Sequence, residues 1–310
     1  VRASKTEQRN PQTRGLDRQS TIQIVRALNR EDARVAFVVQ RVLPQIARAV
    51  DAIVNAFENG GRLFYVGAGT SGRLAVLDAS ECPPTFGTPS RMVQALIAGG
   101  ERALRHAVEG AEDSAVNGAR DLKRAGVTKN DVVIGIAASG STPYVLGALK
   151  LARRHGATTV GVTSNPGSAL AKNAQIAIAP DTGSEAVSGS TRLKAGTAQK
   201  MVLNMLSTAA MVRIGRVYEN WMVGVALTNR KLQRRGARIL EDAAGVSASA
   251  AGHALRRAGH DLPTALVMLK AGVSVGDARK RLAGARGNVR KALEMQLGSQ
   301  AHGNKAKIRK

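Results

Sequence analysis

Cysteine is all but missing from this chain. The single thiol, Cys82, rules out an internal disulfide and fits a reducing compartment. Aromatic residues are only 3% of the chain, against 44% for apolar residues of all kinds. The core must therefore come from Ala, Val, Leu and Ile, as in a parallel α/β sheet, and not from aromatic layers. The five histidines have no metal-ligand spacing and there is no Asp/His cluster, so neither a metal nor a cofactor is expected. No apolar run approaches the length that crosses a bilayer, and the polar N-terminal stretch lacks the apolar segment of a secretory signal. The expectations are a cytoplasmic location and no membrane partner.

Acidic charge is short as well. There are 22 Asp and Glu against 46 Lys and Arg, a formal net charge of +24. Such a balance favours anionic partners: phosphorylated metabolites, nucleic acid or anionic membranes. The basic residues are spread over the chain and are densest at 230–238, 279–291 and 305–310. Nucleic-acid readers add stacking aromatics or a recognisable module, and neither is found. The excess is read as a solvated basic surface, with no specific nucleic-acid partner.

At 310 residues the chain has room for one large or two modest domains. Residues 1–18 read as a polar, extended arm containing Arg9-Asn10-Pro11. Ser20 and Thr21 are placed to cap a helix running to about Asn29. A longer helical pattern over 31–58 has Pro44 as an expected kink and ends at Asn59-Gly60-Gly61. Short apolar strands then appear at 62–66, 93–98, 131–137, 158–163 and 175–179, most followed by a Gly- or Ser-rich turn and a helical stretch. That alternation is the signature of a doubly wound parallel α/β sheet, with right-handed crossovers and the ligand at the carboxyl ends of the strands. A Met-rich helical run spans 191–218, its Met face read as core or subunit interface. Helical patterns at 229–243, 247–258, 262–270 and 274–295 form a separate small unit. The expected division is an N-terminal arm with helices over 1–60, the sheet domain over 61–230, a helical domain over 231–296 and a basic tail over 297–310.

Three hydroxyl-rich loops follow expected strands: Gly69-Thr70-Ser71-Gly72, Ala138-Ser139-Gly140-Ser141-Thr142-Pro143 and Thr163-Ser164-Asn165-Pro166-Gly167-Ser168. Small residues let the backbone approach an anion, and hydroxyls and helix N-terminal N–H groups donate to it. Thr70, Ser71, Ser139, Ser141 and Thr142 are therefore candidate phosphate ligands. No P-loop lysine follows and no dinucleotide glycine fingerprint is present, so a sugar phosphate is favoured over a nucleotide. Glu81, before Cys82-Pro83-Pro84, and Glu112, in Glu109-Gly110-Ala111-Glu112-Asp113, are candidate acid/base groups, and the two prolines are expected to stop the helix carrying Glu81. From position alone, each glutamate reads first as a solvated or capping residue. The same ambiguity attends Glu185 and the cluster Ser190, Thr191 and Lys194, which opens the Met-rich helix. Cys82 has no histidine near it in sequence and reads as a packed residue, not a nucleophile.

These segments, with Thr6-Glu7-Gln8-Arg9-Asn10-Pro11 and Gly189-Ser190-Thr191-Arg192-Leu193-Lys194-Ala195-Gly196-Thr197, closely resemble the N-acetylmuramic acid 6-phosphate etherases, sugar-phosphate lyases on the SIS fold. The resemblance extends from Thr6 to Leu293 and is most specific where 78–84 is combined with 189–197. It implies a helix-flanked, flavodoxin-like parallel sheet with a small C-terminal helical domain similar to ubiquitin-associated bundles. It also implies a homodimer acting without metal in recycling of peptidoglycan amino sugars. The implied reaction is loss of the D-lactyl ether from carbon 3 by elimination and water addition on the ring-opened sugar. Glu81, the proton donor in the family, and Glu112 are the implied acid/base pair.

The chemistry agrees with that implication. An open-chain aldehyde acidifies the proton on carbon 2, a base removes it, and an acid protonates the departing lactate oxygen. Paired carboxylic groups do this near neutral pH when burial or mutual repulsion raises one pKa. Two other readings stay open on sequence alone: a sugar-phosphate sensor similar to the glucokinase regulatory protein, and an aldose–ketose isomerase.

Overall fold

The computed structural model describes residues 5–227 and 229–295; the expected basic tail over 297–310 lies outside them. The chain divides into two compact units after Ile214.

The first unit begins with three short 3-10 turns, Lys5–Glu7, Pro11–Thr13 and Leu16–Arg18. The arm is thus coiled where an extended segment was expected. Asn10 starts the second turn by accepting the Gln12 N–H (2.9 Å), and Pro11 supplies the φ that a first helical position needs. Helices α1 (Thr21–Asp32), α2 (Val35–Gln40) and α3 (Leu43–Glu58) follow. Ser20 and Gln23 form a capping box at α1. Pro44 does not kink a long helix. It sits in the first turn of α3, where its missing N–H costs nothing, and the chain breaks before it between α2 and α3.

Strand β1 (Leu63–Gly67) leads into α4 (Gly69–Phe86), then β2 (Val93–Ile97), α5 (Arg102–Arg105), α6 (Ala115–Arg124), β3 (Val132–Ile136), α7 (Pro143–Arg154), β4 (Thr158–Val162), α8 (Ala169–Asn173), β5 (Ile176–Ile178) and α9 (Lys194–Arg213). The five strands are parallel in the order β2-β1-β3-β4-β5. The central strands β1 and β3 are buried along their whole length, as a helix-covered parallel sheet demands, while edge strands β2 and β5 are partly accessible. Phe64 and Val66 pack with Leu122, Tyr144, Val145 and Leu149 from α6 and α7 on one face. Helices α3 and α4 cover the other, and α9 packs against both of them. This is the doubly wound α/β fold expected from the sequence. Its strand order reverses between β1 and β3, so the loops leaving those strands diverge and open a crevice.

Pro83 and Pro84 lie inside α4, which runs on to Gly87. Their missing N–H groups cost two hydrogen bonds near the helix end, but the Gly87 N–H still closes the last turn on the Pro83 carbonyl (2.9 Å). The Met-rich helix is shorter than expected, ending at Arg213.

The second unit opens with a hairpin of two two-residue strands, β6 (Val217–Tyr218) and β7 (Trp221–Met222), which apolar periodicity over so few residues does not reveal. Helices α10 (Arg230–Ala244), α11 (Ala248–Arg257), α12 (Leu262–Ala271), α13 (Val275–Gly284) and α14 (Val289–Glu294) follow. The last two replace the single helix expected over 274–295. Asn288 ends that run by capping α14, accepting the Lys291 N–H (3.1 Å). Asn229, Ser247, Asp261 and Ser274 cap the other four in the same way. The unit has its own core, including Leu240, Leu255, Leu262, Leu266 and Val289.

Candidate active site

A cavity of about 450 Å³ opens at the crevice between the ends of β1 and β3. The α4 N-terminus forms one wall with Gly69, Thr70 and Ser71. The loop after β3 forms another with Ser139, Ser141, Thr142 and Pro143. Glu112 and Asp113, from the 3-10 turn Ala111–Asp113, Thr191, and Glu7 from the N-terminal arm complete the lining.

The loop after β3 takes its shape from Gly140. Its φ of +69° is left-handed, and an added Cβ would fall 2.1 Å from Ser168 Oγ. The Ser139 and Ser141 hydroxyls lie 2.9 Å apart, and Ser139 Oγ accepts the Ser141 N–H (3.2 Å). Thr142 is the N-cap residue of α7, yet its side chain makes no capping bond. The bond a capping threonine would spend inside the protein is therefore available to a ligand. Ser71 is buried and donates to Gln199 Oε1 on α9 (2.9 Å), while Gln199 Nε2 is buried without a partner. Hydroxyls on two loops, beside the N-termini of α4 and α7, are groups that can hold an anion without a cation.

The third hydroxyl loop is a support and not a wall. Thr163 Oγ1 donates to the Ala138 carbonyl (3.1 Å), the Ser164 N–H donates to the same oxygen (3.0 Å), and Ser168 caps α8.

Of the residues singled out from sequence, the cavity gathers Thr70, Ser71, Ser139, Ser141, Thr142, Thr191 and Glu112. It does not gather Glu81, Glu185, Ser190 or Lys194. Glu185 is fully buried and spends both carboxylate oxygens on the first turn of α9, accepting from the Lys194 N–H (3.0 Å) and the Ala195 N–H (2.9 Å). Burial raises its pKa despite those donors. Lys194 turns to a second cavity of about 430 Å³, where its ammonium pairs with buried Glu31. Burial alone would raise the Glu31 pKa, but hydrogen bonds from Lys194 and Asn10 overcome it and hold the carboxyl below its ordinary value.

Glu81 is exposed near the far end of α4, about 18 Å along the helix from Gly69. One turn earlier on the same helix face lies Leu77, half exposed. The inner side of this stretch holds Asp78, which accepts from Tyr65 Oη (2.9 Å) and Ser207 Oγ (3.0 Å); burial lifts its pKa to about 6. Burial, with the charges of Asp78 and Glu81, pushes the Cys82 thiol up to about 12, so it is no nucleophile near neutral pH.

Glu7 and Asp113 are the acidic lining residues that sequence reasoning passed over. Glu7 stands in a quoted motif that received no role, and Asp113 is adjacent to Glu112.

Family models match the glucokinase regulatory protein N-terminal SIS domain over residues 45–153 and the SIS domain over 114–209. The chain is 54% identical to an N-acetylmuramic acid 6-phosphate etherase of Brucella anthropi, over 93% of this chain and 94% of that one. It is equally similar to one of Yersinia pestis, over 93% and 98%. Among solved structures, a phosphoheptose isomerase from Francisella tularensis is similar at 17% identity and a TM-score of 0.47, covering 63% of this chain and 100% of that one.

Proposed function

The chain belongs to the N-acetylmuramic acid 6-phosphate etherase family, and from that premise we propose how its cavity cleaves the D-lactyl ether of that sugar phosphate to N-acetylglucosamine 6-phosphate and D-lactate. The observation that carries the reading is one cavity lined by Thr70, Ser139, Ser141 and Thr142 on the strand ends together with Glu112.

The phosphate sits on the hydroxyls and on the N-termini of α4 and α7. This fixes the register of the ring-opened sugar, so that carbons 2 and 3 reach the carboxylates. Glu112 takes the carbon-2 proton, the electron pair moves to the carbon 2–carbon 3 bond, and the carbon 3–oxygen bond breaks. The departing lactate oxygen receives a proton from Glu81. Water then adds to carbon 3, Glu81 takes a proton from it, and Glu112 returns one to carbon 2.

Glu81 does not line the cavity of its own chain, so the reading requires a second copy to deliver it. A homodimer through α4 and α9 is supported by their outer surface. On α9, Met201, Met205, Ala209 and Val212 form an apolar face beside a space of about 660 Å³, and on α4 Leu77 shares a face with Glu81. Ser190, Glu185 and Lys194 then shape the α9 N-terminus and do not touch the sugar. The reading is of a cytoplasmic enzyme that recycles cell-wall amino sugars.

The test is D-lactate release from N-acetylmuramic acid 6-phosphate. Glu81→Gln and Glu112→Gln should each lower it by orders of magnitude. Refolding the two variants together should restore about a quarter of wild-type activity, because half of the dimers are mixed and each holds one intact site. Failure of the mixture to recover activity would put both carboxylates on one chain and sink the shared site.

A further inference from the structure

We infer that Glu7 is a substrate-contacting residue, accepting a hydrogen bond from a hydroxyl of the sugar chain opposite the phosphate seat; this rests on the sugar-phosphate reading above. Glu7 reaches the cavity from the N-terminal arm, outside the sheet scaffold that supplies the other walls. Its position is fixed from behind. Thr6 is fully buried and its carbonyl accepts the Gly189 N–H (3.3 Å). The Ser188 hydroxyl donates to the Glu7 carbonyl (3.0 Å). Lys5 pairs with Asp181, Asn10 donates to the Ser184 carbonyl (3.3 Å), and Thr13 Oγ1 donates to the Ala186 carbonyl (2.8 Å). The arm is thus stitched along residues 181–189.

The side chain is fitted to that seat. Gly189 has a φ of +75°, and a Cβ there would meet Glu7 Oε2 at 3.1 Å, so the carboxylate lies directly over a position that favours glycine. Its backbone is bonded, yet its carboxylate has no hydrogen-bond or ion-pair partner among the described residues. A surface glutamate is ordinarily just solvated; this one lines a cavity with Glu112 and six hydroxyl residues. Three carboxylates and no lysine or arginine line that cavity. A carboxylate repels a phosphate, so Glu7 belongs at the end where the ligand offers donors, namely its hydroxyls.

Binding of N-acetylglucosamine 6-phosphate and of inorganic phosphate, measured by calorimetry on the full chain, separates the possibilities without requiring turnover. Glu7→Ala should weaken the sugar phosphate about tenfold or more, Glu7→Gln should weaken it less because an acceptor oxygen remains, and inorganic phosphate should bind all three proteins alike. Sugar-phosphate affinity of Glu7→Ala within about twofold of wild type, no sugar-phosphate binding by wild type, or equal loss for both ligands would each overturn the inference. The etherase reading stands or falls separately, on D-lactate release by the wild-type protein.

Discussion

At the scale of single residues, the same chemical groups serve two ends, and position on an element decides which. Ser139, Ser141 and Thr142 leave hydroxyls facing a cavity, whereas Thr163, Ser164 and Ser168 are buried beneath them and hold the loop. Sequence showed both sets as hydroxyl-rich turns after strands. It could not separate them, because that requires knowing which strand ends flank the reversal of strand order. Glu185 and Lys194 read as ligands for a similar reason: a buried helix cap and a buried ion pair use the residue types a binding site uses. Asp78 offers a test of burial. Its folded-state pKa of about 6 exceeds the ordinary 3.8, so its contribution to stability is full below that lower value and is lost as pH rises through about 6. Asp78→Asn should therefore gain on the wild type, in urea midpoint, on going from about pH 4 to about pH 7. A constant difference across that range would show that burial does not govern Asp78.

Elements were legible where the apolar period was long or the caps were explicit. All five strands of the sheet lie within two residues of their expected bounds, because short continuous apolar runs between Gly and Ser turns suit a sheet buried on both faces. The prolines misled in both directions. Pro44 starts a helix and does not bend one, and Pro83 and Pro84 are carried within the last turns of α4. One contact ties two elements together more firmly than sequence could foretell. Asp131, nearly inaccessible, accepts from the Arg62 N–H (2.8 Å) and guanidinium (2.9 Å) and from the Thr128 N–H (2.7 Å), joining the entry of β3 to that of β1. Burial opposes its charge, but these donors prevail and lower its pKa. Asp131→Ala strands the Arg62 and Thr128 donors and should cost about 3 kcal/mol in chemical denaturation. A loss below about 1 kcal/mol would mean that water replaces the carboxylate.

For the whole chain, the scarcity of aromatics foretold the aliphatic core; the Met face, read as core or subunit interface, divides between buried Met211 and half-buried Met201 and Met205. What sequence could not give was the separation of Glu81 from Glu112, since both sit at helical turns whose relation only the folded sheet defines. If the α4–α9 face joins two copies, Met205→Asp should yield a folded monomer by sedimentation and circular dichroism, with D-lactate release falling in step with dimer content. A monomer with full activity would refute a site shared between copies. The arm that carries Glu7 adds a consequence in time. Thr13 is bonded to a carbonyl 173 residues further along the chain, so the last wall of the cavity closes only once that distal segment is in place, a long-range step expected late in folding. Catalytic competence should thus lag behind the recovery of helical signal during refolding, and a nascent chain should acquire its architecture before its appetite for substrate.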